Sequence, residues 1–258
     1  MKKTIFLTIV AALVLAPAVL AIERFPAQVE PSGTTVIVPD LAIEKAPPLE
    51  VITIVHFKKD FVKPEEPGQN NNARIPTCYG FISAYAKLIA TENLLVNPTN
   101  SGMTEAEVLS GIQSSATTWD NQTSASLFGN VTASSTADFD TYADGQNEIS
   151  FGNYAQSGVI AVTRIWGYFS GKPNSRYISQ FDLMFDLDFA WGDAEVNAAL
   201  MDLKNIATHE LGHGVGLNDQ YNSSCGEATM YGYSNFGEIK KRTLEAPDIK
   251  GLRILYGI

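Results

Sequence analysis

The chain carries, from residue 208 to residue 219, the sequence Thr208-His209-Glu210-Leu211-Gly212-His213-Gly214-Val215-Gly216-Leu217-Asn218-Asp219. His209 and His213 are four residues apart, so a helix places both imidazoles on one face, where they can share one metal ion. Glu210 is rotated by about 100° from His209 and still lies near such an ion. That position suits a base that takes a proton from water without binding the metal itself. The spacing therefore predicts a helix that carries a metal site and a general base.

Two histidines leave a catalytic zinc site incomplete, because such a site usually has three protein ligands and one position for water. Gly214 and Gly216 predict the end of the helix, since glycine adopts the backbone angles that helix ends require. The chain can then turn back and bring Asp219 to the histidines. Glu238, farther along the chain, is a second candidate for the third ligand. His56 has no partner at ligand spacing, and we expect a satisfied or exposed histidine there rather than a metal ligand.

This stretch resembles the metzincin metallopeptidases, whose motif is His-Glu-x-x-His-x-x-Gly-x-x-His. Four positions of the motif are matched, by His209, Glu210, His213 and Gly216. Asp219 stands at the last position, which is His in most of the clan and Asp in a minority. The resemblance implies one catalytic Zn²⁺ on His209, His213 and Asp219, with Glu210 as the catalytic base and Gly216 as support for the turn. A carboxylate oxygen is a competent zinc ligand.

Met230 lies in the segment Ala228-Thr229-Met230-Tyr231-Gly232, where metzincins have a tight turn with a methionine beneath the metal. The resemblance implies that Met230 supports the site in this way, although a lone methionine is also ordinary core filling. Tyr231 and Tyr233 are candidates to stabilise an oxyanion, as a tyrosine after the methionine does in some metzincins. Packing in the core or at the rim of the site is the other interpretation of both tyrosines.

Three further segments resemble the matrixins, a branch of the metzincins: residues 96–104, residues 145–152, and residues 246–252 with 256–257. They are similar to the lead-in to the first matrixin helix, to an exposed central strand and to the closing helix. The resemblance covers about residues 78–258 and implies an α+β, metzincin-like zincin domain. Such a domain has a twisted mixed β-sheet, an active-site helix, a methionine turn and a C-terminal helix.

Local patterns predict a similar order of elements. A capping box of Thr104 and Glu107 opens one helix, and further helices are predicted at residues 203–214 and 246–256. A peptide substrate is expected to lie antiparallel along an exposed strand edge near Asn147–Asn153. Apolar or alternating runs predict strands at residues 82–90, 138–142, 148–151, 159–169 and 177–187.

Composition and charge limit the class of protein. The chain has 258 residues, 45% of them hydrophobic, and a formal net charge of -10. Such an acidic balance argues against nucleic acid as a partner, because phosphate binding needs clustered Lys and Arg. Residues 1–21 combine two lysines, an apolar run and small residues, which predicts a secretory signal peptide, with an uncleaved membrane anchor as the alternative. We expect a secreted, extracellular monomer without stable membrane insertion after cleavage.

Residues 22–76 are predicted to form an N-terminal arm, since they hold eight of the twelve prolines. Two short β-like pieces, Thr34–Val38 and Val51–Phe57, interrupt the arm. The arm is either a linker or a pro-like segment that covers the active site. The metallopeptidase domain is predicted to occupy residues 77–258.

Cys78 and Cys225 are the two cysteines of the chain. Export to an oxidising compartment favours a disulfide between them. Two free buried thiols, or a latency thiolate of Cys78 on the zinc, are the alternatives.

Five acidic residues crowd one stretch of the sequence. Several carboxylate oxygens together can bind Ca²⁺, and a solvated acidic strand end is the alternative interpretation. The residues are Asp182, Asp186, Asp188, Asp193 and Glu195.

The resemblance implies a zinc endopeptidase that hydrolyses peptide bonds of a protein or peptide substrate. The ion would polarise the scissile carbonyl, and Glu210 would take the proton of the attacking water. An alternative from another class is an exported binding or adhesion protein with a structural zinc and no proteolysis. Glu210 argues against that alternative, because a structural zinc site has no use for a carboxylate beside its ligands.

Overall fold

The computed structural model describes residues 49–61 and 77–258. The predicted signal peptide, the predicted strand Thr34–Val38 and the proline-rich arm except for residues 49–61 lie outside the described residues. None of the described helices has the length and apolar character needed to cross a membrane. The helices are α1 (Glu105–Asp120), α2 (Leu203–Gly214) and α3 (Ala246–Tyr256). The strands are β1 (Glu50–Lys58), β2 (Glu92–Val96), β3 (Phe128–Ala133), β4 (Asn147–Gly152), β5 (Val159–Tyr168), β6 (Tyr177–Asp186), β7 (Trp191–Gly192), β8 (Met201–Asp202) and β9 (Tyr233–Ser234).

Seven of the described strands form one sheet in the order β3-β2-β4-β6-β5-β1-β9. β5 is antiparallel to both of its neighbours, β6 and β1, and the other pairs in the sheet are parallel. β7 and β8 form a separate parallel pair. Helix α2 packs against α1 and against β5 and β6. A mixed sheet with helices packed on it confirms the predicted α+β class.

Helix α1 begins at the predicted capping box. The hydroxyl of Thr104 accepts from the N–H of Glu107 at 3.3 Å, and the Glu107 carboxylate accepts from the N–H of Thr104 at 2.8 Å. The indole N–H of Trp119 donates to the Thr208 carbonyl on α2 at 2.8 Å, which fixes the two helices against each other. The buried face of the helix is the predicted apolar one, with Val108, Ile112, Ala116 and Trp119 fully buried.

Helix α2 begins after Asp202, whose carboxylate caps it by accepting from the N–H of Asn205 at 2.7 Å. Arg242 forms an ion pair with the same carboxylate. The helix ends at Gly214, and Gly216 then takes a φ of +103°. Because glycine alone adopts such a φ without strain, Gly216 lets the chain turn back from the helix. The predicted end of the helix is confirmed.

We expect Gly216→Ala to destabilise the fold. A Cβ at this position would lie 2.5 Å from the carbonyl oxygen of Ala86, in addition to the strain of a positive φ. Gly145→Ala is the matched control, because Gly145 also has a positive φ, +88°, but open space around the added Cβ. In urea unfolding, Gly216→Ala should lower the free energy of unfolding by about 2 kcal/mol more than Gly145→Ala. Equal losses would contradict this account of the turn.

Cys78 and Cys225 form a disulfide, with a Cα–Cα distance of 5.2 Å and a sequence separation of 147. The predicted disulfide is confirmed. It excludes the two alternatives, free thiols and a Cys78 thiolate on a metal. The bond ties the start of the second described range to the segment between α2 and α3.

Strand β1 lies within the proline-rich arm and confirms the predicted strand Val51–Phe57. It pairs with β5 from Glu50, opposite Gly167, to Phe57, opposite Val159. Its C-terminal end also pairs with β9. The sheet therefore includes residues that precede the predicted domain boundary at residue 77.

Two predicted strands are wrong. Residues 82–90 form turns, and Tyr85 has a φ of +66°, which interrupts an extended run. Residues 138–142 form no strand, because the N–H of Asp140 donates to the carboxylate of Asp182 rather than to a neighbouring strand. In residues 82–90 the apolar pattern reflects burial of Ala86 and Leu88 in the core, whereas residues 138–142 are exposed or half-buried.

The predicted substrate edge at Asn147–Asn153 is also wrong. β4 pairs with β2 on one side and with β6 on the other, so it has no free edge. Asn147 and Glu148 of this strand are buried. The amide of Asn147 donates to the carboxylate of Glu92 at 2.9 Å, and the backbone N–H of Glu148 donates to a carboxylate on β6.

Candidate functional site

Helix α2 presents His209 and His213 on one face, and the loop after the helix returns with Asp219. Asp219 Oδ1 lies 3.1 Å from His209 Nε2 and 3.5 Å from His213 Nε2. Both imidazoles are fully buried, and the carboxylate is 3% exposed. These three atoms have no hydrogen-bond partner in the part of the chain that the structure describes. Buried polar atoms are normally satisfied, so three that converge without a partner mark a site for a ligand.

The other nitrogen of each imidazole is fixed by a backbone carbonyl. His209 Nδ1 donates to the Thr229 carbonyl at 2.6 Å, and His213 Nδ1 donates to the Leu217 carbonyl at 2.9 Å. A carbonyl can only accept, so each ring carries a proton on Nδ1. In a neutral ring of this kind the Nε2 lone pair faces Asp219, and it is available to a metal.

A tyrosine orients the carboxylate of Asp219. The hydroxyl of Tyr221 donates to Oδ2 at 2.7 Å, which leaves Oδ1 toward the histidines. Glu238, the other candidate for a third ligand, accepts from the hydroxyl of Ser234 at 3.2 Å. It belongs to no group of potential metal ligands among the described residues. The structure therefore brings Asp219, and not Glu238, to the two histidines.

Glu210 is fully buried beside this cluster. Its Oε2 accepts from the hydroxyl of Thr163, on β5, at 2.6 Å, and its Oε1 accepts from Nδ1 of His56, on β1, at 2.8 Å. Burial raises the pKa of Glu210 to about 7. A buried carboxyl group with a pKa near neutrality can both accept and return a proton.

His56 is a buried and satisfied histidine, in keeping with the prediction that it is not a metal ligand. Besides its bond to Glu210, its Nε2 lies 3.4 Å from Nζ of Lys241, and its ring centroid lies 4.0 Å from that of His209. Lys241 is itself fully buried and donates to the carbonyl of Tyr231. Burial lowers the pKa of Lys241 to about 8. A buried cation therefore stands on the far side of the His56 ring from Glu210.

Burial and the electrostatic interactions among the three converging side chains set their charges. Burial lowers the pKa of His209 to about 3, so its imidazole is neutral. Burial also opposes the charge of His213, but the Asp219 carboxylate outweighs burial and raises the pKa of His213. Burial opposes ionisation of Asp219, and the neighbouring imidazoles outweigh it and hold the pKa well below its usual value. Asp219 is therefore the anionic member of the cluster.

Met230 is buried under α2, next to Gly212. Its N–H and the N–H of Thr229 donate to the carboxylate of Asp248, on α3, at 3.1 and 2.8 Å. The Thr229 carbonyl in turn accepts from His209. Helix α3 thus fixes the turn that orients one of the two imidazoles.

Tyr231 and Tyr233 lie in an aromatic cluster with Tyr221. The ring centroids of Tyr221 and Tyr233 are 5.2 Å apart, and those of Tyr231 and Tyr233 are 5.7 Å apart. This arrangement fits the packing interpretation of both residues, and an oxyanion role stays a prediction. Tyr221, whose hydroxyl donates to Asp219, was not singled out from the sequence.

A second group of potential ligands shares one histidine with the first: His56, His209 and Glu210. In this group the nearest atoms of His56 and Glu210 already satisfy each other with a hydrogen bond. A metal there would have to break that bond. The group with Asp219, whose three atoms have no such partner among the described residues, is the better metal site.

The acidic residues expected as a calcium site do not form one group of ligands among the described residues. Asp193 and Glu195 pair with the guanidinium of Arg242. Asp182 and Asp186 accept hydrogen bonds from backbone N–H groups. A different acidic group has carboxylate oxygens within reach of one ion, namely Asp138, Asp140 and Glu148.

Sequence reasoning missed five side chains that build the site: His56 as a partner of Glu210, Thr163, Tyr221, Lys241 and Asp248. His56 carried a usable signal, because the chain has three histidines and the motif accounts for two of them. Thr163 is a single hydroxyl in an apolar run, and Lys241 lies in an ordinary basic run. Nothing in the sequence indicates that Thr163 lies beside Glu210 or that Lys241 lies beside His56.

Comparison with known proteins supports the resemblance found in the sequence. A family model described as Matrixin matches residues 91–257, which is more than half of the chain. The matched range runs from the start of β2 to the end of α3 and contains Glu210 and the three converging side chains. A search of curated proteins finds no match.

Proposed function

Because the chain belongs to the matrixin family of zinc metallopeptidases, we propose that it is an endopeptidase whose zinc ion is held by His209, His213 and Asp219. Glu210 is the catalytic base in this proposal. Family membership supports the zinc and the hydrolysis of peptide bonds. The choice of Asp219 as third ligand rests on the geometry of this chain.

The observation that carries the proposal is the set of three buried atoms without a protein partner among the described residues. His209 Nε2, His213 Nε2 and Asp219 Oδ1 lie within 4.8 Å of one another. An unsatisfied buried polar group costs about 1–3 kcal/mol, and one divalent cation would satisfy all three. Two imidazole nitrogens and one carboxylate oxygen are a donor set that catalytic zinc accepts.

The roles of the surrounding residues follow from their contacts. Zinc bound at this site supplies Lewis-acid polarisation of a peptide carbonyl and a lower pKa for water. Thr163 holds one oxygen of Glu210, His56 contacts the other, and burial raises the pKa of Glu210 to about 7. In this proposal Glu210 accepts the proton of the attacking water and returns it to the leaving amine.

We also propose that the protein is exported and acts as an extracellular monomer on a protein or peptide substrate. The Cys78–Cys225 disulfide supports an oxidising compartment. Residues 1–21 have the pattern of a signal peptide. The group of Asp138, Asp140 and Glu148 is the candidate for an additional Ca²⁺ ion.

Metal removal tests the proposed function. We expect about one zinc per chain, and we expect casein cleavage to fall at least about 100-fold after dialysis against a chelator and to return with added zinc but not with added calcium. The measurement is made on the wild-type chain and on His56→Ala, which frees one oxygen of Glu210. Cleavage that survives complete removal of zinc would refute the proposal. Bound zinc without cleavage in either chain would support the alternative of a structural zinc.

A further inference from the structure

A peptide substrate needs a strand edge beside Glu210, because extended peptides bind a sheet through backbone hydrogen bonds along a free edge. β5 is the strand at the site, since its Thr163 contacts Glu210. One side of β5 pairs with β6. The other side is the edge that a peptide would use, and β1 occupies it.

β1 is held on this edge in the manner of a bound peptide. It runs antiparallel to β5 along its length, and its end runs parallel to β9, with Phe57 opposite Tyr233. The N–H of Lys58 donates to the carbonyl of Gly158 at 2.8 Å, and the N–H of Lys59 donates to a β9 carbonyl at 2.9 Å. An extended segment of the chain therefore lies between two strands that flank the site.

One side chain of β1 reaches the catalytic base. His56 donates to Oε1 of Glu210 at 2.8 Å, its other nitrogen faces Lys241 at 3.4 Å, and its ring lies over His209. All four side chains are fully buried. While β1 is in place, Oε1 of Glu210 has a protein partner, and a water that donates to that oxygen has to share it with His56.

The rest of β1 is held less firmly than the inner strands. Of its nine residues, only His56 and Phe57 are buried. Phe57 packs with Val159 and Val162 in a small cluster apart from the main core, and Ile52 and Ile54 pack against the main core without being fully buried. The departure of β1 would therefore remove partly buried side chains from the rim of the main core, whereas β6 supplies fully buried ones.

We propose that β1 is an intrachain occupant of the peptide-binding edge and keeps the full-length chain latent, with His56 as the side chain that ties it to the catalytic base. This inference rests on the proposed function. A substrate reaches Glu210 only in molecules whose β1 has left β5, so the open fraction sets the activity of the full-length chain.

Variants of the full-length chain test the inference by freeing or fixing β1. His56→Ala removes the contacts of β1 with Glu210 and Lys241. The double variant T53C/R164C has cysteines at directly opposite positions of β1 and β5, where a disulfide would hold β1 in place. T53S/R164S is the matched control without a cross-link. Mass spectrometry verifies the added cross-link beside the native disulfide.

Casein cleavage with added zinc is the first readout. We expect His56→Ala to cleave roughly 10- to 100-fold faster than the wild-type chain, because losing a buried hydrogen bond to a charged group raises the open fraction by about that factor. We expect the cross-linked chain to cleave at least about tenfold more slowly than T53S/R164S. Undiminished cleavage by the cross-linked chain would overturn the inference.

Binding of a labelled peptide with the sequence of residues 50–58 is the second readout, and it needs no turnover. We expect the peptide to bind His56→Ala at least about tenfold more tightly than the wild-type chain and not to bind the cross-linked chain. If the proposed function fails and this inference holds, no form cleaves casein while peptide binding keeps this order. Equal cleavage and equal peptide binding in all forms, including no binding by any of them, would overturn the inference.

Discussion

Glu210→Gln should lower kcat for peptide cleavage by roughly 10²- to 10⁴-fold and leave the zinc content unchanged. The amide keeps the size of the side chain, and its oxygen can still accept from Thr163, which contacts the wild-type carboxylate at 2.6 Å. It cannot take a proton from water. Glu210 supplies none of the three converging atoms that would bind zinc, so zinc should stay bound.

Glu105→Gln is the control for this experiment, because Glu105 is an exposed glutamate in the first turn of α1 and far from the chemistry in our proposal. Its turnover should equal that of the wild-type chain. The comparison is made in the wild-type and His56→Ala backgrounds, so that occupation of the edge by β1 does not mask the loss. Wild-type turnover in Glu210→Gln would exclude Glu210 as the base, and loss of zinc with activity would make Glu210 a ligand.

Asp219→Ala should weaken zinc binding by at least about 100-fold, measured by competition with a chromogenic chelator. Partners that only orient a ligand are worth about 10- to 100-fold in metal affinity, and a direct ligand should exceed that range. Tyr221→Phe removes a hydroxyl that orients the Asp219 carboxylate, and it should weaken binding by about tenfold. Glu238→Ala should bind zinc as the wild-type chain does.

Asp219→Asn separates the loss of a ligand from damage to the fold, because the amide keeps the size of the side chain and can still accept from Tyr221. We expect its zinc affinity to fall while its urea unfolding midpoint, measured without metal, stays within the range of the other site variants. Retention of zinc by Asp219→Ala together with its loss in Glu238→Ala would reassign the third ligand to Glu238.

The parts of the site that could be predicted from sequence are the local ones. The positions of His209 and His213 on one face follow from helical spacing, and the end of α2 follows from the glycines that come after it. The capping box of α1 joins residues three apart, and it formed as predicted. Asp219 could be predicted as the third ligand because only one turn of the chain separates it from the end of α2.

The parts that could not be predicted depend on contacts between distant segments. The hydrogen bond between His56 and Glu210 joins residues 154 apart in the sequence. The alternation within a strand tells which of its faces is buried, but not which strand pairs with it. β4 illustrates this limit, because the resemblance implied an exposed strand and the fold pairs β4 with a neighbour on each side. The pairing of β1 with the edge of β5 could not be predicted for the same reason.

The disulfide has a consequence for any cut in the chain between residues 62 and 76. It joins Cys78 to Cys225, and the sequence contains no further cysteine. The backbone is therefore the sole covalent link between β1 and the strand it covers. A single nick there would turn a tethered strand into a separate molecule, whose release depends on concentration, so dilution alone would favour its loss and hinder its return.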